Sequence, residues 1–132
     1  ADVELMVKPN IESDIFKTLD ALAEKNKKLA LALLHKHLDG DDNPLYLLSM
    51  IAFQFKNLLM VKELSEKGMM YDSIVKKSGL HPFVVKKSYF LCRQFSFAEL
   101  KGIYRQIFEI DSNIKIGKVD AETALDLFVS QI

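Results

Sequence analysis

The stretch PLYLLSMIAFQFKNLLMVKEL, residues Pro44 to Leu64, decides the fold of this chain. Asn43 suits the N-cap of a helix, and Pro44 suits its first position, where a backbone N–H is not needed. No helix breaker follows until Gly68, so the sequence predicts one helix of about 24 residues, roughly 36 Å long. An apolar surface on so much of a helix is typical of the centre of a bundle. Its two predicted stripes are Leu45, Leu48, Ala52, Phe55 and Leu59, and Tyr46, Met50, Phe53, Met60 and Leu64.

The same segment is the most apolar part of the chain, but polar residues interrupt it. Gln54, Lys56 and Asn57 lie in the second half of the run from Leu45 to Val61. A helix facing lipid would have to desolvate all three side chains, which is costly. The sequence therefore predicts a helix buried by other helices, with no membrane span and no signal peptide.

Capping residues predict further helices on both sides of the long one. A first helix is expected at about residues 11–25, and a second from the N-cap Asn26 to Leu38, closed by a polar turn at residues 40–42. Residues 71–78 predict a short helix ended by Gly79, and Pro82 marks the first turn of a helix that continues to about residue 94.

The C-terminal third carries the clearest capping signal. Ser96 and Glu99 form a capping box, and Asp120 caps a last helix. Together the segments predict an all-α fold, one bundle of about seven helices over residues 11–132, preceded by a tail or linker at residues 1–10. The predicted core stripe of the capping-box helix is Phe97, Leu100, Ile103, Tyr104, Ile107, Ile110 and Ile114.

Length and composition agree with one soluble domain. The chain has 132 residues, with 18 basic and 18 acidic residues, 49% apolar residues and 27% charged residues. The single Cys92 forms no internal disulfide, and no Asn-x-Ser/Thr sequence occurs. These features favour the reducing cytoplasm over secretion.

Residues able to support catalysis or metal binding are sparse. On a helix, His35 and His37 point about 200° apart, so one ion does not reach both, and we expect both to be solvated. His81 is expected to cap or pack, and Cys92 to act as a small buried apolar residue. No phosphate-binding loop, nucleophile motif or zinc motif is present. The sequence predicts no catalytic residues, no metal site, no cofactor and no small-molecule substrate.

Charge is distributed unevenly along the chain. Residues 44–95 hold eight basic and three acidic residues, a net charge of +5. With a helix, a Gly79 turn and a second helix, this segment has the outline of a helix-turn-helix, which is the alternative function. The first turns of its second helix, however, carry Pro82, Phe83, Val84 and Val85, which favour burial over reading bases. Contact with phosphate or an acidic partner, or a solvated surface, stays open for the basic residues Lys76, Lys77, Lys86, Lys87 and Arg93.

Several motifs in order resemble the C-terminal domain of the delta subunit of the bacterial DNA polymerase III clamp loader. The long helix is similar to that family's long helix, with Gln54-Phe55-Lys56 where Gln-Phe-Arg is common. Ser78 to Ser88, SGLHPFVVKKS, resembles the family's Gly-x-His-Pro-Phe element. The other matching segments are Ile15 to Asn26, Arg93 to Leu100, and Asp111 to Lys115 followed by Asp120, while Asp2-Val3-Glu4 resembles the end of the preceding lid domain.

The resemblance implies a collar domain, an oligomerisation module that packs with its sister subunits into a ring of five. Implied partners are gamma/tau-like ATPase subunits and delta-prime, with DNA contacted at most non-specifically. ATP binding belongs to sister subunits, and clamp opening belongs to delta domains absent here. Lys56 lacks the planar fork of arginine, so a bidentate contact is not expected there. The candidate subunit-interface residues are Tyr46, Phe53, Gln54, Lys56 and Met60, although packing inside the bundle explains the apolar ones equally well.

Overall fold

A computed structural model of the chain describes residues 9–40 and 43–132, with side chains from Ile15 onward. All regular structure in these ranges is helical, which confirms the predicted all-α bundle. A 3₁₀ turn, Cys92–Gln94, extends the fifth helix. The seven α-helices are α1 Pro9–Ala23, α2 Lys27–Asp39, α3 Pro44–Glu66, α4 Tyr71–Ser78, α5 Pro82–Leu91, α6 Phe97–Lys115 and α7 Ala121–Gln131.

The predicted caps are present and fix the helix starts. Asn26 accepts a hydrogen bond from the backbone N–H of Leu29, and Asn43 accepts from those of Leu45 and Tyr46. In the capping box, the Glu99 N–H donates to Ser96 Oγ at 3.0 Å, and the Ser96 N–H donates to Glu99 Oε1 at 2.8 Å. These side chains satisfy amide donors that have no partner inside a helix.

The first helix begins and ends two residues earlier than predicted. Helix α1 already includes Pro9 and residue 10, so the C-terminal end of the predicted linker, residues 1–10, overlaps the helix. Residues 1–8 lie outside the described part of the chain. The early end has a local cause, because Lys25 adopts φ 63° and the Asn26 N–H turns back to the carbonyl of Ala21 at 2.8 Å. This is the hydrogen bond of a Schellman motif, formed here without glycine.

Helix α3 is the central element, and α1, α4, α5, α6 and α7 all pack against it. Phe55 is fully buried and meets the rings of Phe95 and Phe128 edge-on, with ring centroids 6.1 and 6.4 Å apart. The two predicted stripes are partly correct: Leu48, Phe55 and Leu64 are buried, whereas Leu45, Tyr46 and Phe53 are exposed. The buried residues of α3 are Leu47, Leu48, Ile51, Gln54, Phe55, Asn57, Leu58, Val61 and Leu64.

Helix α3 also has the length and apolar composition of a membrane span. Its most apolar window has a mean hydropathy of 1.3, and 44% of that window is buried within the bundle. A central helix that packs against five others meets the same criteria, and its buried polar residues Gln54 and Asn57 suit protein surroundings better than lipid. The packing agrees with the prediction of a helix buried by helices.

Candidate functional site: a subunit interface

The two predicted helix histidines do not form a common site. His35 Nε2 lies 2.7 Å from Asp126 Oδ1 of α7, and both side chains are about half exposed. His37 is buried, at 7% exposure, so the expectation that it is solvated is wrong. Over residues 9–40 and 43–132, no three His, Cys, Asp or Glu side chains come together as metal ligands.

Cys92 lies in the core, as predicted, at 1% exposure. Burial raises the pKa of its thiol, although Lys62 and Arg93 partly oppose the shift. A thiol with a raised pKa holds little of the reactive thiolate, so Cys92 has the properties of a structural residue.

We define the outer face of α3 as Leu45, Tyr46, Phe53, Lys56 and Met60. The first four are exposed, and Met60 is partly buried against the core. At about 100° per residue these five positions span an arc of about 100° on the helix. Leu45 and Phe53 are each 46% exposed, and Tyr46 is 37% exposed. Four of the five predicted interface residues therefore share one surface, and Leu45 joins them.

Gln54 is the exception and the prediction for it needs correction. The side chain has no exposed surface, because position 54 lies on the opposite side of α3 from Lys56 and faces the bundle. Among the described residues, neither its Oε1 nor its Nε2 has a hydrogen-bond partner, and Asn57 Nδ2 and Ser88 Oγ are also buried without one. Gln54 belongs to the packing of the domain and is not available to a partner subunit.

A groove of about 280 Å³ runs beside the outer face, between α3 and α6. Ser49 and Ala52 line one wall, and Tyr104 and Phe108 line the other. The two aromatic rings meet edge-on with centroids 5.0 Å apart, and Phe108 is 60% exposed. The groove joins the exposed surface of α3 to Phe108 on α6, and its lining also holds the ion pair of Lys115 with Asp111 at 2.8 Å.

Sequence reasoning missed Phe108 because it lies outside the predicted core stripe of α6. The stripe itself is only partly buried, with Leu100 and Ile107 fully inside and Tyr104 half-buried. Phe108 directly follows the buried Ile107, so a helix of 3.6 residues per turn rotates it by about 100° away from the core. A large aromatic residue next to the core stripe but outside it was the sequence feature that could have indicated an exposed apolar surface.

The five predicted basic residues are all exposed and lie on α4, α5 and the 3₁₀ turn. Lys76 and Lys77 occupy the last turn of α4, where positive charge favours the helix dipole. Lys87 Nζ lies 5.8 Å from the ring of Phe83, and the Arg93 guanidinium lies 6.0 Å from the ring of Tyr89. Near Lys87, burial raises the pKa of Asp20, and the lysine charge opposes that shift.

The start of α5 does not have the surface of a DNA-reading helix. His81 caps it, since its Nδ1 accepts a hydrogen bond from the Phe83 N–H at 3.1 Å. Val84 and Val85 are buried as predicted, whereas Pro82 and Phe83 are exposed, contrary to the prediction. Phe83 contacts the ring of Phe16 at 5.9 Å, so the first turn offers proline and an aromatic ring where base recognition needs polar groups.

Comparison with known proteins identifies the family of the chain. The family model of the DNA polymerase III delta subunit, C-terminal domain, matches residues 12–132. The chain belongs to this family. It is 29% identical over 131 residues to DNA polymerase III subunit delta of Bacillus subtilis (strain 168), covering 99% of this chain and 38% of that protein.

The fold comparison leads to the same family. The chain is similar to a solved structure of the Bacillus subtilis DNA clamp loader delta protein, with a TM-score of 0.88 and 29% identity. The match covers 98% of this chain and 38% of that one, so the chain spans less than half the length of both relatives. The resemblance predicted from the sequence motifs is confirmed at the level of the delta C-terminal domain family.

Proposed function

We propose that this domain is the collar of a clamp-loader delta subunit, a non-catalytic oligomerisation module that supports sliding-clamp loading in DNA replication. Its partners are the other clamp-loader subunits, namely gamma/tau-like ATPase subunits and delta-prime, in the cytoplasm. DNA contact by this domain is at most non-specific. Membership in the delta C-terminal domain family supports the proposal, as does the name of the similar structure, a clamp loader delta protein.

The observation that carries the proposal is the outer face of α3. A helix that supplies the centre of the core also exposes Leu45, Tyr46 and Phe53, each by more than a third. Exposed apolar surface next to a groove is the usual site of protein association, and aromatic residues there supply much of the binding free energy. Association through this face therefore uses Phe53 and Tyr46 as anchors, with Phe108 across the groove.

The experiment that tests the proposal is a pull-down of this chain with its sister clamp-loader subunits. Phe53→Asp places a charge in the centre of the outer face, and we expect it to reduce the retained complex at least about tenfold. Leu29→Asp is the matched control, because Leu29 is 45% exposed on α2, which packs on α1 and α7 away from the outer face.

The control separates the interface from any general effect of a surface charge. We expect Leu29→Asp to be retained like the unchanged chain, and circular dichroism to show that both variants keep their helix content. Retention of Phe53→Asp at the normal level, or equal loss of both variants, would contradict the proposed interface.

A further inference from the structure

A second exposed aromatic surface lies on α5, away from the outer face of α3. We call it the α5 ridge and define it as Lys86, Tyr89, Phe90 and Arg93. The spacing i, i+3, i+4 and i+7 places the four residues on one side of α5 and of the 3₁₀ turn that extends it. Phe90 is 57% exposed, and Lys86 and Arg93 are exposed on either side of it.

The ridge borders a surface cavity of about 370 Å³, largely open to solvent and lined by Tyr71, Lys86, Tyr89 and Phe90. Its walls are held by contacts within the domain. Tyr89 meets Tyr71 and Phe90 edge-on, with centroids 6.0 and 6.2 Å apart, and the Tyr71 hydroxyl donates to the Pro82 carbonyl at 3.3 Å. An aromatic cavity fixed in this way has the size and chemistry to receive a large apolar side chain.

Basic residues outnumber acidic ones in the segment of sequence that forms the cavity, and Lys86 lines it, which favours an acidic ligand. Residues 67–95 contain six basic residues and a single acidic one, Asp72. Two nearby carboxylates on α3 already pair with lysines, Glu63 with Lys67 at 3.5 Å and Glu66 with Lys62 at 3.8 Å. Lys86 itself has no carboxylate within ion-pair distance among the described side chains, so its charge is free for a ligand.

Ring geometry favours a peptide over single-stranded nucleic acid. Successive bases stack on the exposed faces of aromatic side chains. Here Tyr71 and Phe90 are inclined to Tyr89 by 78° and 81°, and Arg93 covers a face of Tyr89 at 6.0 Å. Rings set at right angles form the walls of a pocket, which suits one inserted side chain better than a stack of bases.

We propose that the α5 ridge and its cavity bind an acidic peptide segment of a partner protein, with an aromatic side chain of that segment inserted beside Phe90. Acidic side chains of the same segment pair with Lys86 and Arg93. The proposal goes beyond the collar function, because it assigns a partner to a surface outside the outer face of α3.

The test is a fluorescence-anisotropy titration of the 132-residue chain with a labelled peptide of acidic residues around one phenylalanine. We expect saturable binding that weakens as salt is added. Phe90→Ala and Lys86→Glu should each weaken it at least about tenfold. Leu127→Ala is the control, since Leu127 is 50% exposed on α7, and it should leave peptide binding unchanged.

Two further probes fix the ligand chemistry. Peptides with serine in place of phenylalanine, or lysine in place of the acidic residues, should not bind measurably. The proposal is overturned if the acidic peptide does not bind, if Leu127→Ala weakens binding as much as Phe90→Ala, or if an oligothymidine binds the ridge more tightly than the peptide. Since Phe53→Asp and the pull-down do not enter this test, its failure leaves the collar proposal standing.

Discussion

The inner and outer faces of α3 carry the same kinds of residue in opposite surroundings. Phe55 is fully buried between the rings of Phe95 and Phe128, whereas Phe53, two positions earlier, is 46% exposed. The polar residues are distributed against expectation as well, since Gln54 is fully buried and Lys56 is exposed. The comparison shows that apolar residues on all sides of a helix can have two roles. On α3 the inner side packs in the core, and on our proposal the outer side binds a partner.

The largest expected effect is the difference in stability between the variants Phe55→Ala and Phe53→Ala. Phe55→Ala removes a fully buried ring and leaves a cavity, so we expect it to lower the free energy of unfolding by about 3–5 kcal/mol. Phe53→Ala removes an exposed ring and should change it by less than about 0.5 kcal/mol. Urea denaturation followed by circular dichroism measures both, and similar losses for the two variants would break the comparison.

Gln54 gives a second test of the inner face, and here we expect a substitution to increase stability. Its amide is buried and none of its polar atoms has a partner among the described residues, so it has lost water contacts without replacing them. Methionine has a similar shape and no such cost, and Gln54→Met should raise the free energy of unfolding by about 1 kcal/mol. Urea denaturation checks this, with Lys56→Met on the outer face as the control expected to have little effect.

A loss of stability in Gln54→Met would mean that the amide is hydrogen-bonded within the domain. That result would assign Gln54 a structural polar role, and it would leave the exposed position of Phe53 and Lys56 unchanged. Either result therefore adds to the comparison of the two faces. The prediction itself holds only if Gln54→Met raises the free energy of unfolding.

The smallest expected effect is the pH dependence of stability that arises from the N-terminal caps of α6 and α7. Backbone hydrogen bonds lower the pKa of Asp120, through the Thr123 N–H, and of Glu99, through the Ser96 N–H. Because both pKa values are lower in the folded chain, these groups stabilise it at neutral pH, and the contribution is lost as the pH falls through their lowered pKa values.

Substitution of a cap tests this pH dependence directly. Asparagine caps a helix about as well as aspartate but does not titrate, so Asp120→Asn should lose less Tm than the unchanged chain between pH 7 and pH 3. Thermal melts at the two pH values measure the difference. An identical loss of Tm in both proteins would contradict the role of the Asp120 carboxylate.

The sequence predicted the ends of helices better than their faces. Asn26, Asn43, Ser96 with Glu99, and Asp120 cap their helices as expected, because a cap acts through hydrogen bonds within one turn. The early end of α1 was missed because Lys25 takes a conformation that usually marks glycine. A cap depends only on residues close in sequence, which is why it is readable without the fold.

The faces of α3 were not readable for a physical reason. Apolar residues surround this helix, so the pattern alone does not distinguish the side that meets α5 and α7 from the side that meets solvent. Gln54 was assigned to an interface from its motif, and only packing shows it buried. Of the residues that the sequence suggested for an interface, Tyr46, Phe53 and Lys56 lie exposed on one side of α3, and the sequence did not single out the exposed Leu45 and Phe108 beside them.

Hydroxyl-radical footprinting of the assembled clamp loader, compared with the free chain, tests the central claim most directly. It reports the solvent access of individual side chains, including those of Tyr46, Phe53 and Leu29. We predict that assembly protects Tyr46 and Phe53 several-fold and leaves Leu29 on α2 unchanged. Tyr46 and Phe53 reacting equally in both states would show that the outer face of α3 is not the subunit interface.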